Sequence, residues 1–346
     1  MSIVTKTFGF LPDGREVQCY TLENSSGMKA SILNFGCVLQ SLWVPTKNGE
    51  LLDVVLGYDS LDGYLTNDAS LGAVVGRLVG PVPDRLLRYK GKTVKLPANT
   101  ADGGHCHGGV KGFSRSLWRA QAISETGEDK IVLQLISQDG DDGYPGELSA
   151  QVVYTLREDN TLSLDYSALA DRDTPYNPAF HCYYNLSGQG SGCIDSQFFF
   201  AQNEKVSVNG KLIPAKGSVL DLREKKTFGE RFSQKDPLTE NGLDNFHLLA
   251  GDGMRKVMEA ESPDSGCVME VFTDAVGAIV YTGNWLNNLP GKNGCFYHRH
   301  DGFCFETCYV KDVPDFNPSN VCLVGPGRPF ESHMELCFSW KQFKRK

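Results

Sequence analysis

The stretch VVYTLREDNTLSLDY, residues 152–166, determines the fold class that the sequence predicts. In its second half, apolar residues at 162, 164 and 166 alternate with polar residues at 163 and 165, which is typical of a strand with one buried face. Residues 152–156 are rich in β-branched and aromatic side chains, and Glu158-Asp159-Asn160 between the two halves has turn chemistry. The stretch therefore predicts an antiparallel β-hairpin.

Similar segments recur along the whole chain. Strand-like runs lie at 29–33, 130–136, 197–200, 278–281 and 334–340, and turn pairs stand at Asp13-Gly14, Asn48-Gly49, Asn209-Gly210 and Asp252-Gly253. No segment keeps an apolar 3.6-residue period over three turns, so only brief helices are expected, near 60–64 and 312–315. No repeat, linker or composition shift marks a boundary. The sequence predicts one large, all-β, antiparallel domain over residues 1–346.

Composition narrows the class of partner and the compartment. The net charge of −8 disfavours nucleic acid, which is bound mainly through Lys and Arg. No apolar stretch approaches the length of a membrane helix, and the first 14 residues lack the apolar block of a signal peptide. The 11 cysteines are an odd number without regular spacing or a Cys-x-x-Cys, which favours reduced thiols over a disulfide framework. We therefore expect a soluble, cytoplasmic protein. A monomer or weak dimer is our working expectation for its assembly, although composition does not determine it.

Two apolar segments carry the candidate acid–base residues. Glu306 lies within the strand-like run Gly302-Phe303-Cys304-Phe305-Glu306-Thr307-Cys308, where burying an unpaired carboxylate is costly. It needs a partner, a raised pKa or a cavity, and structural and functional roles both satisfy that need. His181 follows Phe180 in a second apolar segment. An imidazole titrates near neutrality, but a lone histidine among aromatic residues is also typical of a core.

Three other polar motifs have competing interpretations. His105 and His107 are two residues apart and could chelate a metal on one strand face, but no carboxylate follows at a suitable spacing, so we expect no metal. The alternative is that one histidine caps a loop while Gly108-Gly109 lets the backbone approach another segment closely. Arg77 could form an interior ion pair or clamp a substrate. Residues 188–192 are rich in glycine but lack the Gly-Lys-Ser/Thr ending of a phosphate loop.

The order of these segments resembles the aldose 1-epimerase (galactose mutarotase) family over nearly the whole chain. The segments that carry the likeness are Asn34-Phe35-Gly36, Asp53-Val54-Val55-Leu56-Gly57-Tyr58, Gly72-Ala73-Val74-Val75-Gly76-Arg77, His107-Gly108-Gly109-Val110-Lys111-Gly112-Phe113, Asp142-Gly143-Tyr144-Pro145-Gly146, His181-Cys182-Tyr183-Tyr184-Asn185, Asn241-Gly242-Leu243-Asp244, Tyr281-Thr282-Gly283-Asn284 and Gly302-Phe303-Cys304-Phe305-Glu306-Thr307. Each motif alone is weak, but this many in register is specific.

The resemblance implies a fold, a reaction and residue roles. It implies a β-sandwich of the galactose mutarotase type that interconverts the α and β anomers of hexoses such as galactose and glucose without a cofactor. It also implies that Glu306 is the general base and His181 the general acid, that His107 and Asp244 bind sugar hydroxyls, and that Arg77 belongs to the substrate site. The reaction needs one group to take a proton from the C1 hydroxyl and another to protonate the ring oxygen. A carboxylate and an imidazole facing each other across the ring satisfy that need.

The departures from the family pattern lie around the expected sugar site. A family Asn-Arg pair is replaced by Gly80-Pro81, and family glutamines are replaced by Ile279 and Cys308. Ile279, Phe180 and Cys308 are expected to make the pocket more apolar, and Arg85, Arg88 or Arg299 are candidates to replace the missing arginine. Two alternatives to a hexose epimerase stay open: a diverged enzyme acting on a less hydroxylated hemiacetal or carbonyl compound, and a sugar-binding protein without catalysis.

Overall fold

Antiparallel β-strands are the main secondary structure of the protein. The computed structural model describes residues 2–66, 68–125, 128–232, 236–309 and 323–341. The strands are β1 (Ser2–Phe10), β2 (Glu16–Glu23), β3 (Lys29–Leu33), β4 (Leu39–Pro45), β5 (Leu51–Asp53), β6 (Ala73–Val75), β7 (Leu86–Tyr89), β8 (Lys92–Lys95), β9 (Arg119–Glu125), β10 (Glu128–Ser137), β11 (Leu148–Leu156), β12 (Thr161–Ala170), β13 (Thr174–Pro175), β14 (Ala179–His181), β15 (Phe198–Ala201), β16 (Asn203–Val208), β17 (Lys211–Pro214), β18 (Lys226–Thr227), β19 (Asp244–Leu249), β20 (Arg255–Glu261), β21 (Cys267–Thr273), β22 (Gly277–Tyr281), β23 (Leu289–Pro290), β24 (Phe296–Tyr297), β25 (Cys304–Cys308), β26 (Leu323–Val324) and β27 (Phe330–Trp340).

Helices are few and short within the same described ranges. They are α1 (Leu61–Thr66), α2 (Phe228–Phe232) and the 3₁₀ turns Pro83–Arg85, Phe113–Arg115, Asp141–Gly143 and Lys292–Gly294. The expected helix near 60–64 is confirmed by α1, and α2 was not predicted. The helix expected at 312–315 lies outside the described residues. None of the described helices is long and apolar enough to cross a membrane.

Three large sheets form the body of the molecule. The first has the order β1-β2-β3-β4-β5, the second has nine strands in the order β18-β15-β20-β21-β27-β12-β11-β10-β9, and the third has the order β17-β16-β19-β22-β25. Smaller pairs join β6 to β14, β7 to β8, β13 to β26 and β23 to β24. Several neighbouring strands are distant in the chain; β27, for example, pairs with β12 and β21. The second sheet therefore depends on pairing between distant parts of the sequence.

The predicted hairpin lies in the nine-stranded sheet. β11 pairs with β12 in an unbroken antiparallel register from Leu148 opposite Ala170 to Leu156 opposite Leu162. The runs predicted at 29–33, 130–136, 197–200, 278–281 and 334–340 lie on strands, except that Gln197 precedes the first residue of β15. Gly14, Gly49, Gly210 and Gly253, the second residues of the predicted turn pairs, all have positive φ. Turn chemistry and alternation therefore predicted these elements correctly.

The sheets pack their apolar faces against one another. The main core cluster takes Leu22 and Ile32 from the first sheet, Leu164 from the second and Val280 from the third, all inaccessible to solvent. Burying apolar surface is worth about 25 cal/mol per Å², so this shared core is the principal stabilising contribution. The architecture is an all-β antiparallel sandwich, as predicted. β14 and the third sheet bring residues from distant parts of the chain to one concave face.

Candidate active site

A cavity of about 560 Å³ opens on the concave face beside the third sheet. Strands β19, β22 and β25 supply one wall, β14 supplies a second, and loops close the rest. The lining residues are Asp68, Ala69, Gly80, Pro81, Cys106, His107, His181, Tyr183, Asp244, Ile279, Tyr281, Trp285, Leu286, Asn287, Leu289 and Glu306. Four of the five site residues predicted from the sequence, His107, His181, Asp244 and Glu306, therefore lie together.

Glu306 lies at the bottom of this pocket on β25, a strand whose five residues are all buried. It pairs with Ile279 of β22 and is only 2% exposed. Its Oε2 atom is buried and has no hydrogen-bond partner among the described residues. Burial raises the pKa of Glu306 well above its ordinary value, and the nearby carboxylate of Asp244 raises it further. The sequence predicted that a buried Glu306 would need a partner, a raised pKa or a cavity. The structure provides the last two.

His181 ends β14 and is 6% exposed. Its Nε2 atom lies 3.7 Å from Oε1 of Glu306, and its Nδ1 lies 3.8 Å from Sγ of Cys304. Burial is the main cause that lowers the pKa of His181 to about 3, and the neighbouring imidazole of His107 contributes less. The imidazole of His181 is therefore neutral at physiological pH. The expectation that the two groups face each other across a sugar-sized space is wrong. They are side by side, because β14 lies against β25.

His107 reaches the pocket from a loop that packs closely on the backbone of Gly76. A Cβ atom on Gly108 would lie 1.6 Å from the carbonyl oxygen of Gly76, so only glycine fits there. Nδ1 of His107 accepts a hydrogen bond from the backbone N–H of Gly80 at 3.3 Å. Because Nδ1 is an acceptor, Nε2 carries the proton of the neutral ring. Burial lowers the pKa of His107 to about 4.

Asp244 begins β19 and pairs with Tyr281 of β22. Asp244 is exposed as a residue, yet enough protein surrounds its carboxyl group that desolvation raises its pKa to about 6. Ile279 and Tyr281 are two residues apart on β22 and line the same wall as Asp244 and Glu306. The central strand of this wall is therefore apolar and aromatic between two carboxyl groups.

Arg77 is not in the pocket, and the prediction that it contacts substrate is not retained. Its side chain is 2% exposed, and its guanidinium donates hydrogen bonds to the carbonyl oxygens of Ser137, Gln138, Pro145 and Gly146 and to two hydroxyl groups. Nor does any described acidic group form an ion pair with it. Burial lowers the pKa of Arg77 to about 10. The residue fastens the segment after β6 to the loop between β10 and β11.

Other expected contributions are also corrected. Arg85, Arg88 and Arg299 do not line the cavity, and the Arg299 guanidinium instead donates to the carbonyl oxygen of Glu240. Of the three apolar replacements, Ile279 lines the pocket, whereas Phe180 and Cys308 are buried in core clusters. Phe180 lies outside the lining because strand alternation turns it to the opposite face from His181. Cys308 is on the same face as Glu306, two residues further along β25, but there it packs against Ala179 and Phe246.

The two histidines of the His-x-His motif do not act together. His105 is 1% exposed, and its ring nitrogens contact the carbonyl oxygen of Pro97 and the hydroxyl of Tyr144, both at 2.8 Å. Donor atoms of His181, Cys304 and Glu306 do lie within 4.8 Å of one another, a set that could hold a metal ion. Burial raises the pKa of the Cys304 thiol well above its ordinary value, which opposes the thiolate that such binding needs.

Several lining residues were missed by sequence reasoning. Tyr183 and Tyr281 lie near His181, with ring centroids 5.2 and 6.2 Å from its imidazole; the first ring is tilted and the second is edge-on. Tyr281 was detectable, because it lies two residues from Ile279 on the same strand face. Trp285, which is 81% exposed at the rim, belongs to a loop and has no periodic signal. Its position depends on a hydrogen bond from its backbone N–H to the Tyr281 hydroxyl at 3.0 Å.

Comparison with known proteins identifies the family to which this site belongs. The model of the aldose 1-epimerase family matches residues 18–337. Galactose mutarotase from Bos taurus is 35% identical over 352 aligned residues, covering 98% of this chain and 99% of the bovine protein. Aldose 1-epimerase from Escherichia coli K12 is 29% identical and covers 97% of this chain and 99% of its own length.

A solved structure has the same fold. The crystal structure of galactose 1-epimerase from Lactobacillus acidophilus superposes with a TM-score of 0.85 at 24% identity, covering 98% of this chain and 99% of that one. At that identity the solved structure shows only that the fold is shared. Membership of the family is shown by the match to the family model and by the full-length similarity to the bovine protein. On these grounds the chain belongs to the aldose 1-epimerase family of isomerases.

Proposed function

We propose that this protein interconverts the α and β anomers of hexoses such as galactose and glucose, with Glu306 as general base and His181 as general acid. The observation that carries this proposal is the 3.7 Å separation of a buried carboxyl oxygen and a buried imidazole nitrogen at the bottom of a cavity of about 560 Å³. The hydroxyl oxygen and the ring oxygen of a hexose are both bonded to C1. A base and an acid that serve them together must therefore be neighbours.

In the forward step, the carboxylate of Glu306 removes the proton of the C1 hydroxyl while Nε2–H of His181 protonates the ring oxygen. The C1–O5 bond breaks, and C1 becomes the aldehyde carbon of the open chain. After rotation about C1–C2, the O5 hydroxyl attacks the other face of the carbonyl. Glu306 then returns its proton to the carbonyl oxygen while His181 recovers its own from O5. The cycle leaves both side chains as they began.

The environment of the two groups suits these roles. Desolvation makes the carboxylate of Glu306 a stronger base than it would be in water, which matches the raised direction of its pKa. The low pKa of His181 keeps its imidazole neutral with a single N–H, which is the form that donates to a neutral ring oxygen. General acid–base catalysis of this kind contributes about 10²–10⁴-fold per group.

His107 and Asp244 are assigned to substrate binding. Nε2–H of His107 is free to donate to a sugar hydroxyl because its Nδ1 accepts from Gly80, and the carboxylate of Asp244 can accept hydrogen bonds from hydroxyls. Tyr183 and Tyr281 offer apolar faces for the carbon side of a sugar ring. This chemistry uses the chain's own side chains and needs no cofactor.

The same proposal extends to the protein's setting. We assign residues 1–346 to a single domain, since the main core cluster contains residues from Tyr20 to Phe338. We place the protein in the cytoplasm as a monomer or weak dimer that binds neither nucleic acid nor membrane. The acidic net charge and the ten described cysteines, all of them free thiols, support that placement.

Polarimetry of freshly dissolved α-D-galactose and α-D-glucose tests the activity. The wild-type protein is expected to speed equilibration above the buffer rate, and Glu306→Gln is expected to lower kcat by about 10²–10⁴-fold because it removes the base. Glu331→Gln on β27 changes an exposed glutamate and serves as the matched control. A wild-type rate equal to buffer, or full activity in Glu306→Gln, contradicts the proposal.

A further inference from the structure

The charge inventory of the pocket is one-sided. Three lining residues carry carboxyl groups, namely Asp68, Asp244 and Glu306, whereas no Lys or Arg occurs among the described lining residues. Asp68 is already neutralised, because its Oδ1 lies 2.5 Å from the guanidinium of Arg115. Neither Asp244 nor Glu306 has such a counter-ion in the part of the chain that the structure describes. The negative charges that act on a bound sugar are therefore uncompensated.

Asp244 is the unpaired carboxylate that a substrate can reach away from the reacting atoms. Among the described residues it has neither an ion pair nor a side-chain hydrogen bond. It lies opposite Tyr281, while Glu306 lies opposite Ile279 on the other side of β22. Two strand spacings and a two-residue offset separate their Cα atoms by about 12 Å. With side chains projecting inward, one sugar ring can contact both groups.

The opposite wall leaves space but contributes no positive charge. A Cβ atom on Gly80 would meet only Cδ1 of Ile279, at 4.0 Å, and Pro81 follows it. Pro81 occupies the position at which the family resemblance places an arginine. A neutral hydroxyl gives Asp244 one ordinary hydrogen bond, whereas an ammonium group gives it a charge-assisted one and supplies the missing counter-ion. Phosphate and carboxylate substituents are repelled by the same field.

We propose that the preferred substrates are amino sugars, hexoses in which a protonated amine at C2 or C3 pairs with the carboxylate of Asp244. This inference rests on the proposed epimerase function and names the substrate class of the same site. The chemistry at C1 is unchanged, with Glu306 and His181 moving the two protons as described above. The amine binds the substrate and takes no part in proton transfer.

Four sugars compared at pH 7 by polarimetry test this inference. The amino sugars are α-D-glucosamine and 3-amino-3-deoxy-D-glucose, and the uncharged controls are D-glucose and N-acetyl-D-glucosamine. At least one amino sugar is expected to exceed both controls in kcat/KM by tenfold or more. Asp244→Asn is expected to reduce that preference at least tenfold. Pro81→Arg, which adds a positive charge to the wall, is expected to reduce that preference as well.

The outcomes separate this inference from the epimerase activity itself. If glucose equilibrates but neither amino sugar is preferred, or if Asp244→Asn lowers kcat/KM for all four sugars equally, the amino-sugar assignment is overturned and the epimerase function stands. If no sugar equilibrates, calorimetric titration with glucosamine and glucose decides the binding question separately. Equal affinity of the wild-type protein for both then rejects the role of Asp244, and tighter binding of glucosamine that Asp244→Asn abolishes supports it.

Discussion

Burial acts in opposite directions on the two ionisable side chains at the bottom of the pocket. It raises the pKa of Glu306 and lowers that of His181 to about 3, because each group is driven towards its neutral form. Activity should therefore increase with pH as Glu306 loses its proton, with a midpoint above the ordinary glutamate value of 4.5. His181 stays neutral above about pH 4 and adds no further step near neutrality.

Asp244→Asn should move the midpoint of this pH-dependent rise in activity to lower pH. The negative charge of Asp244 is the second cause of the raised pKa of Glu306, so its removal stabilises the Glu306 carboxylate. The measurement is the pH dependence of kcat for glucose, with Asp252→Asn, on an exposed turn, as the control. A midpoint that stays fixed or moves upward in Asp244→Asn would contradict the repulsion between the two carboxyl groups.

Gly108→Ala should destabilise the protein and disturb the His107 loop. Its φ of +87° is unfavourable for alanine, and the added Cβ would collide with the Gly76 carbonyl oxygen. Gly103→Ala has a similar φ of +81° but no atom within 4 Å, so it isolates the backbone term of about 1–2 kcal/mol. Urea unfolding should show a clearly larger loss for Gly108→Ala. Equal losses would show that the contact is relieved without cost.

Strand pairing in the nine-stranded sheet carries a charge cluster that responds to pH. His333 of β27 lies opposite Asp165 of β12, and Nδ1 of His333 is 2.5 Å from the Asp165 carboxylate. That hydrogen bond is the main cause that raises the pKa of His333 to about 9, and the contact with Glu335 adds to it. The pair's contribution to stability is therefore fully present below pH 6.5, the ordinary histidine value, and is lost as pH rises through 9.

His333→Gln tests this cross-strand pair. The difference in unfolding free energy between wild type and variant should shrink as pH rises from 6 to 10, because the wild type alone loses the imidazolium. Asp165→Asn should flatten the same pH dependence by removing the main partner of His333. A difference that is constant with pH would show that the strands are held here by packing and backbone pairing alone.

At the scale of strands, sequence reasoning succeeded where local patterns are complete. The β11–β12 hairpin was predicted because alternation and turn residues lie in one continuous stretch. β14 was harder to delimit. The apolar segment that contains His181 continues beyond it, but pairing with β6 ends at His181 because β6 is only three residues long. Local sequence does not contain the length of a partner strand, so this boundary could not be predicted.

A buried ion pair connects two segments that are distant in the chain. Nζ of Lys292 lies 2.6 Å from Oδ2 of Asp53, with side chains 2% and 4% exposed, and Lys292 also donates to the carbonyl oxygen of Gln40. This contact joins the end of β5 to the loop before β24. Lys292→Met should cost about 3–5 kcal/mol of unfolding free energy, since it leaves a buried carboxylate without its partner.

Denaturant unfolding of single and double variants measures this cost. Adding Asp53→Asn to Lys292→Met should recover part of the loss, because the uncompensated charge is then removed as well. Lys29→Met, which breaks a half-exposed ion pair with Glu23, is the surface control and should cost about 0–1 kcal/mol. A loss for Lys292→Met no larger than that of the control would assign the pair a merely local role.

The site could be predicted only in part, for reasons that belong to the whole molecule. Family resemblance identified Glu306, His181, His107 and Asp244, and all four line one cavity. It failed for Arg77, whose hydrogen bonds go to carbonyl oxygens 60 or more positions away in the chain. The side-by-side arrangement of Glu306 and His181 was also out of reach, because it depends on how β14 packs against β25. Such contacts between non-consecutive strands are set by topology and not by local pattern.

The buried Oε2 atom of Glu306, which has no hydrogen-bond partner among the described residues, lowers the stability of the folded protein. A buried acceptor without a donor destabilises a native state by about 1–3 kcal/mol, a sizeable share of the margin by which small proteins stay folded. Thermal robustness and turnover therefore compete at this one atom. Selection for heat resistance alone would favour a hydrocarbon side chain at this position, whereas the proposed reaction requires a carboxyl group there.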